Sequence, residues 1–203
     1  EVMPTPVRSG YSFAGWYDGD NGTGNQVTNA TAVTNASNHT LYAKWTANTY
    51  TVTYNGNTNT GGTAPTDSNN YEQGTNVTVA AAGNLEKIGY TFEGWNTAEN
   101  GSGTAYAAAA TMAMPAANVT LYAQWTANTY TVAYDAEGGA VDPGSQSKLY
   151  GSTYGKAANG TDDEAMPTPV RSGYSFAGWY DGDNGTGNQV TNATAVTNAS
   201  NHT

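Results

Sequence analysis

The residues best placed for chemistry are the carboxylates of DGDNGTG, found at 18–24 and again at 181–187. Asp18 and Asp20, like Asp181 and Asp183, stand two apart in a Gly-rich loop, and oxygen-rich loops of that kind bind Ca²⁺. An EF-hand loop places its Gly sixth and a bidentate Glu twelfth. Here Gly22 is fifth and Asn29 twelfth. The loop is therefore read as a polar hairpin turn, with weak Ca²⁺ binding at Asp18/Asp20 and Asp181/Asp183 as the alternative, and no metal site is assigned.

Asp162, Asp163 and Glu164 offer carboxylates for acid–base work, but they lie between turn residues and have no equivalents in the central part of the chain. A solvated loop is the reading. Serine and threonine abound without a Gly-x-Ser-x-Gly elbow, and the chain has no cysteine. His39 and His202 occupy the same place in two copies of one segment. No catalytic residue and no cofactor are assigned, and the chain is read as non-enzymatic. Intramolecular Lys–Asn crosslinks would need a recurring lysine among Lys44, Lys87, Lys148 and Lys156; Lys44 becomes Gln124 in the next copy, and Lys87 has no clear counterpart. They are read as solvated lysines.

Trp16, Trp45, Trp95, Trp125 and Trp179 could stack on sugars, but their place in alternating strand patterns assigns them to the core. Tyr42 and Tyr122 fall on the outward face and stay open as contact residues. Asn-x-Ser/Thr sequons recur at Asn21, Asn29, Asn35, Asn38, Asn76, Asn118 and Asn159. They permit glycosylation in a suitable host.

These residues sit in a chain of 203 with 6 Lys and Arg against 16 Asp and Glu, a net charge of −10. Such a balance repels phosphate backbones, so nucleic acid is not an expected partner. Zero cysteines exclude a disulfide framework. No run approaches the ~18 apolar residues of a membrane span, and no basic n-region followed by an apolar h-region is visible in these residues.

The organisation is repetitive. Residues 3–40 recur unchanged as 166–203. A shorter period lies inside: LYAKWTANTYTV at 41–52 returns as LYAQWTANTYTV at 121–132, and GYSFAGW at 10–16 returns as GYTFEGW at 89–95 and GYSFAGW at 173–179. The unit is thus about 80 residues. Residues 48–127 make a complete repeat, 1–47 the C-terminal part of one, and 128–203 the N-terminal part of one lacking its closing strand.

TYTVTY at 49–54 alternates Tyr50, Val52 and Tyr54 against threonines, the period of a half-buried strand. A weaker strand is predicted at 75–81 and another over GYTFEGW, where Gly94 before Trp95 marks a bulge. AYAAAATMAM at 105–114 is the best helix candidate by alanine content. Its counterpart at 27–33 is a poor helix former. The closing strand LYAQW turns Leu121, Ala123 and Trp125 to one face. Residues 126–128 alone join one repeat to the next, which predicts semi-rigid coupling and a rod or beaded fibre.

In the blocks TYTVTYNGN (49–57), GYTFEGWNT (89–97) and MPAANVTLYAQW (114–125), taken in order, the chain resembles the Listeria–Bacteroides repeat family, the internalin B-repeat type of bacterial surface proteins. The resemblance implies a mostly β (α+β) fold: small β-grasp-like repeats, each a mixed sheet around a short helix, in an elongated array. It also implies an extracellular, cell-surface or secreted protein whose repeats serve as spacers, stalks and adhesion modules. The first and third copies depart from it, with VTNASNHT in place of MPAANVT. Partners expected on this reading are neighbouring repeats or identical chains, and a host or cell-surface protein or glycan. Strand exchange between chains and a protein- or glycan-binding module stand as alternatives to the stalk.

Overall fold

The computed structural model describes residues 2–203. In the first repeat, β1 (Tyr11–Gly19), β2 (Thr23–Val27) and β3 (Tyr42–Ala47) form a sheet in the order β2-β1-β3. The central repeat contributes β4 (Thr49–Tyr50), β5 (Val52–Asn55), β6 (Tyr71–Glu72), β7 (Asn76–Thr78), β8 (Tyr90–Asn96), β9 (Ala105–Tyr106), β10 (Thr111–Ala113) and β11 (Val119–Ala127). The third repeat holds β12 (Thr129–Ala133), β13 (Ser145–Leu149), β14 (Trp179–Gly182) and β15 (Thr186–Val190).

The fold is mostly β, as the alternating patterns require. The opening strand divides at Thr51. Its first part, β4, runs antiparallel to β6, and its second, β5, lies parallel to β11 with Val52 opposite Val119 and Tyr54 opposite Leu121. That parallel pair makes the four-stranded sheet β5-β11-β8-β9 mixed. The bulge expected at Gly94 before Trp95 is seen at the equivalent place of the first repeat, where the register of β1 on β3 slips between Phe13 and Gly15; Gly94 shares the backbone conformation, at φ +133°. Gly15 sits there at φ +136°, beyond the reach of an L side chain without strain.

The helix expected over 105–114 does not form. Residues 105–106 are β9, residues 107–110 turn with Ala109 at φ +62°, and residues 111–113 are β10, paired antiparallel to β7. Met112 and Met114 decide the matter. They alternate, both are buried, and Met112 lies opposite Val77. Burying two large side chains on one face of a strand outweighs the few tenths of a kcal/mol per residue that alanine offers a helix. Among the described residues the helical turns are two short 3₁₀ turns, Asp20–Gly22 and Asp183–Gly185. The fold is β-rich without the α part of the expectation.

The chain forms two compact units. One takes in the residues up to Asn55 with Ala64–Gly83 and Gly94–Ala123; the other takes in Gly56–Thr63, Asn84–Glu93 and Gln124–Thr203. The first has the larger core: Val52, Tyr54, Val77, Val79, Trp95, Met112, Met114, Leu121 and Ala123 are buried. The second buries Leu85, Val132, Tyr134 and Val196 together with two polar side chains, Gln146 and Lys148. Among the tryptophans only Trp95 is fully buried; Trp16, Trp45, Trp125 and Trp179 are half-buried, as are Tyr42 and Tyr122.

Candidate functional site

The acidic loops close hairpins. In β1–β2 the Asp18 carboxylate reaches across the loop and accepts from the Asn25 backbone N–H (2.7 Å) and its side-chain amide (3.3 Å). Asp181 does the same with Asn188, at 2.6 and 3.1 Å. Asp20 turns aside to accept from the N–H of Asn21, at 2.8 Å. Asn21 and Asn184 take the left-handed conformation at φ +56°, which asparagine tolerates. The carboxylates at 18 and 181 are thus spent on bracing the turn, and among the described residues no cluster of three or more His, Cys, Asp or Glu is placed to hold a metal.

These bonds to Asn25, backbone first and side chain second, hold the Asp18 carboxyl below the usual carboxylate range, and those to Asn188 do the same for Asp181. A folded pKa below the unfolded one stabilises at pH above the ordinary carboxylate value and loses that contribution as pH falls through the lowered value. Carboxyl chemical shifts followed by NMR should titrate at Asp18 and Asp181 below an exposed reference aspartate. Midpoints at or above about 3.9 would contradict the brace.

The Asp162–Glu164 carboxylates do not converge. Asp162 accepts from Asn159 Nδ2 at 2.6 Å, Asp163 pairs with Lys156 at 2.7 Å, and Glu164 pairs with Lys148 at 3.0 Å. The hydrogen bond from Lys156, and then its charge, draws the Asp163 carboxyl downward. Lys148 corrects the expectation of solvated lysines: its side chain is 0% exposed. Its ammonium donates to the carbonyls of Lys156 and Glu164 and to Glu164 Oε2, each at 3.0 Å, so all three protons are used. Beside it, Gln146 accepts from the Tyr134 hydroxyl at 2.7 Å and donates to the Ala165 carbonyl. Burial, followed by the nearby Glu164 charge, raises the Tyr134 phenol. The sequence signal was the period-two placing of Gln146 and Lys148 in SQSKL, inward positions filled by polar residues.

Lys148→Ala should cost about 2 kcal/mol, the penalty of two part-buried carbonyls left without this donor; the Glu164 side chain is 42% exposed and can rehydrate. Glu164→Ala should cost less, because the two carbonyls still hold the ammonium. Urea denaturation of both variants checks the order.

What recurs is the joint between repeats. β3 ends at Ala47 and β4 starts at Thr49; β11 ends at Ala127 and β12 starts at Thr129. One asparagine fills each gap. Asn48 donates its N–H to the Gly10 carbonyl at 2.9 Å, and its side-chain oxygen accepts from Ser12 Oγ at 2.6 Å. Asn128 repeats this with Gly89 at 2.9 Å and Thr91 Oγ1 at 2.6 Å, and its carbonyl takes the N–H of Tyr150. The glycines are buried and left-handed, at φ +75° for Gly10 and +78° for Gly89. A Cβ on Gly10 would run into the Gln73 side chain, and one on Gly89 into the Tyr150 ring. Tyr150 stands edge-on to Tyr90 at 5.6 Å and to Tyr130 at 6.3 Å. Each joint is therefore one clamped residue plus a close backbone approach. The identical TANTYTV and GY[ST]F blocks contained these residues, but only the pairing of a linker asparagine with a glycine some 40 positions away gives them a role.

The Listeria-Bacteroides repeat domain matches residues 1–44, 50–124 and 130–203. The chain belongs to the Listeria-Bacteroides repeat family. Its three Listeria-Bacteroides repeats meet at the two joints just described. The chain is 40% identical over 179 residues to a protein of Evansella cellulosilytica that carries the provisional name Gly-rich membrane protein; the match covers 85% of this chain and 19% of that protein. It is 42% identical over 123 residues to Internalin H of Listeria monocytogenes, covering 61% of this chain and 20% of that one. The chain thus spans about a fifth of the length of these relatives. No solved structure matches it. No helix among the described residues is long and apolar enough to cross a membrane.

Proposed function

We propose that this chain is a non-enzymatic structural segment of a bacterial cell-surface or secreted protein: a run of Listeria-Bacteroides repeats that spaces and transmits load. The observation supporting this best is the repeated joint, Asn48 on Gly10 and Asn128 on Gly89, built the same way each time. A one-residue connection whose backbone and side chain are both hydrogen-bonded leaves little freedom for one repeat to swing against the next. Force entering a closing strand passes directly into the next opening strand. The names of the relatives, an internalin and a membrane protein, agree with a surface setting. Net charge −10 without cysteine suits a chain kept soluble outside the cell by self-repulsion. The three carboxylates of 162–164 face different partners, and the acidic loops brace turns, so the polar clusters are accounted for without catalysis.

Small-angle scattering of proteins with increasing numbers of these repeats tests the reading. The largest dimension should grow by a constant increment per repeat. Growth with the cube root of mass, as for repeats folded back on one another, would overturn it. An adhesive role for exposed side chains is a separate matter, decided by binding to host-cell surfaces.

A further inference from the structure

The chain has no cysteine, so no disulfide can pin one repeat to the next, but it has 15 tyrosines. Three of them meet at the second joint. Tyr90 opens β8, Tyr130 lies in β12, and Tyr150 directly follows β13, its N–H on the Asn128 carbonyl at 2.8 Å. The Tyr150 ring stands edge-on to Tyr90 at 5.6 Å and to Tyr130 at 6.3 Å. All three side chains are half-buried, so each ring has an edge that solvent reaches.

Further contacts place the phenols. The Tyr130 hydroxyl accepts from Asn128 Nδ2 at 3.2 Å, which holds that ring over the linker. The Tyr90 hydroxyl lies beside Gly151, where an added Cβ would stand 3.3 Å from it. The two ring carbons flanking that hydroxyl therefore lie next to the residue that follows Tyr150. Tyr150 is set against Gly89. Tyr90 carries the Lys87 ammonium over its face at 4.4 Å and is the ring that turns onto Tyr150. The first joint lacks this arrangement, because Gln73 stands against Gly10 where Tyr150 stands against Gly89.

We propose that Tyr90 and Tyr150 are a site of oxidative crosslinking, and that their coupling to a dityrosine locks the second joint covalently. Each phenol gives up one electron and its hydroxyl proton and becomes a phenoxyl radical, with unpaired spin on the carbons flanking the oxygen. Two such carbons, one from each ring, join in a new C–C bond. The hydrogen on each then moves to its oxygen, which restores both phenols. The pair has lost two electrons and two protons in all. Hydrogen peroxide takes them through a haem peroxidase and leaves as two waters. Rings already in contact couple with each other faster than with those of another chain, because their encounter is intramolecular. The link closes a loop from β8 to the end of β13 across Asn128, and so restrains the opened joint as a disulfide restrains an unfolded chain. This goes beyond the spacer reading and is decided separately from it.

The test treats the 203-residue chain with a haem peroxidase and hydrogen peroxide, diluted until chains seldom meet. Trypsin cleavage after Lys87, Lys148 and Lys156 puts Tyr90 and Tyr130 in peptide 88–148 and Tyr150 in peptide 149–156. Mass spectrometry should find these two peptides joined, lighter than their sum by two hydrogens, with fragmentation placing the bond at Tyr90 and Tyr150. Tyr150→Phe and Tyr90→Phe, which keep the rings, should each lower the yield of the joined peptides by about tenfold, the loss of a preset intramolecular partner. Tyr154→Phe and Tyr130→Phe should leave it unchanged. In the linked chain, hydrogen exchange at the Asn128 and Tyr150 amides should slow by about tenfold. Oxidation without the joined peptides overturns the proposal, as do links formed only between chains. A yield that survives Tyr150→Phe overturns it too, by placing the bond on Tyr154. Each of these results leaves the spacer reading standing, since that is decided by how dimensions grow with repeat number.

Discussion

Gly89→Ala should cost about 3 kcal/mol, while the same change at Gly173 costs about 1. The three equivalent glycines share one backbone conformation, φ +75° at Gly10, +78° at Gly89 and +79° at Gly173. Each alanine therefore pays the left-handed strain of roughly 1 kcal/mol. What differs is the neighbour. At Gly173 a Cβ meets nothing within 4 Å. At Gly10 it meets the Gln73 side chain, whose amide end can swing aside although its Cβ must also give way. At Gly89 it meets the Tyr150 ring, held between Tyr90 and Tyr130, and an aromatic that cannot move adds an overpacking cost of about 2 kcal/mol. The order Gly89, Gly10, Gly173 is the prediction. Hydrogen exchange at the Asn128 and Tyr150 amides reads the joint locally, which matters because a repeat chain need not unfold in one step. Equal costs at all three positions would mean that the glycines serve the turn alone.

Trp95→Ala should destabilise by about 4 kcal/mol, the range for emptying a fully buried aromatic. Trp95 is 1% exposed, stands edge-on to Tyr54 at 4.8 Å, and donates Nε1–H to the Ala80 carbonyl at 2.8 Å. Tyr54 in turn accepts the Ala80 N–H through its hydroxyl, at 2.9 Å. The pair thus satisfies both backbone groups of one residue. Trp179, its counterpart, keeps the ring contact to Tyr134 at 5.0 Å and an Nε1–H bond to the Pro167 carbonyl, but is only half-buried. Trp179→Ala should cost about half as much. Urea unfolding followed by far-ultraviolet circular dichroism compares the two; the same loss at both sites would contradict the difference in burial.

The strands were legible because alternation survives in this sequence. Tyr50, Val52 and Tyr54 face inward as the pattern requires, and the bulge before Trp16 announces itself by Gly15. The false helix at 105–114 has an equally local cause. Four successive alanines dominate any propensity sum, while the evidence for a strand is two methionines whose partners, Val77 for Met112 and Thr75 for Met114, lie more than 30 residues earlier. Lys148 was misread because a buried lysine depends on acceptors brought from 156 and 164 by turns that have no pattern of their own. The duplicated segment marks the limit most clearly. Val33 is 85% exposed and Val196 0%, with identical residues on either side. Val196 exchanges backbone bonds with Gly151 and Ser152, residues that lie outside the duplicated segment. No reading of those 38 residues alone could separate the two outcomes.

The claim that the joints are stiff is tested most directly by residual dipolar couplings measured across Asn128. Amides of 89–92 and 124–127 should share one alignment tensor with those of 129–133 and 145–150, and Gly89→Ala should split it into two. Two tensors of different magnitude in the unaltered chain would show the repeats turning freely about Asn128 and would contradict the account.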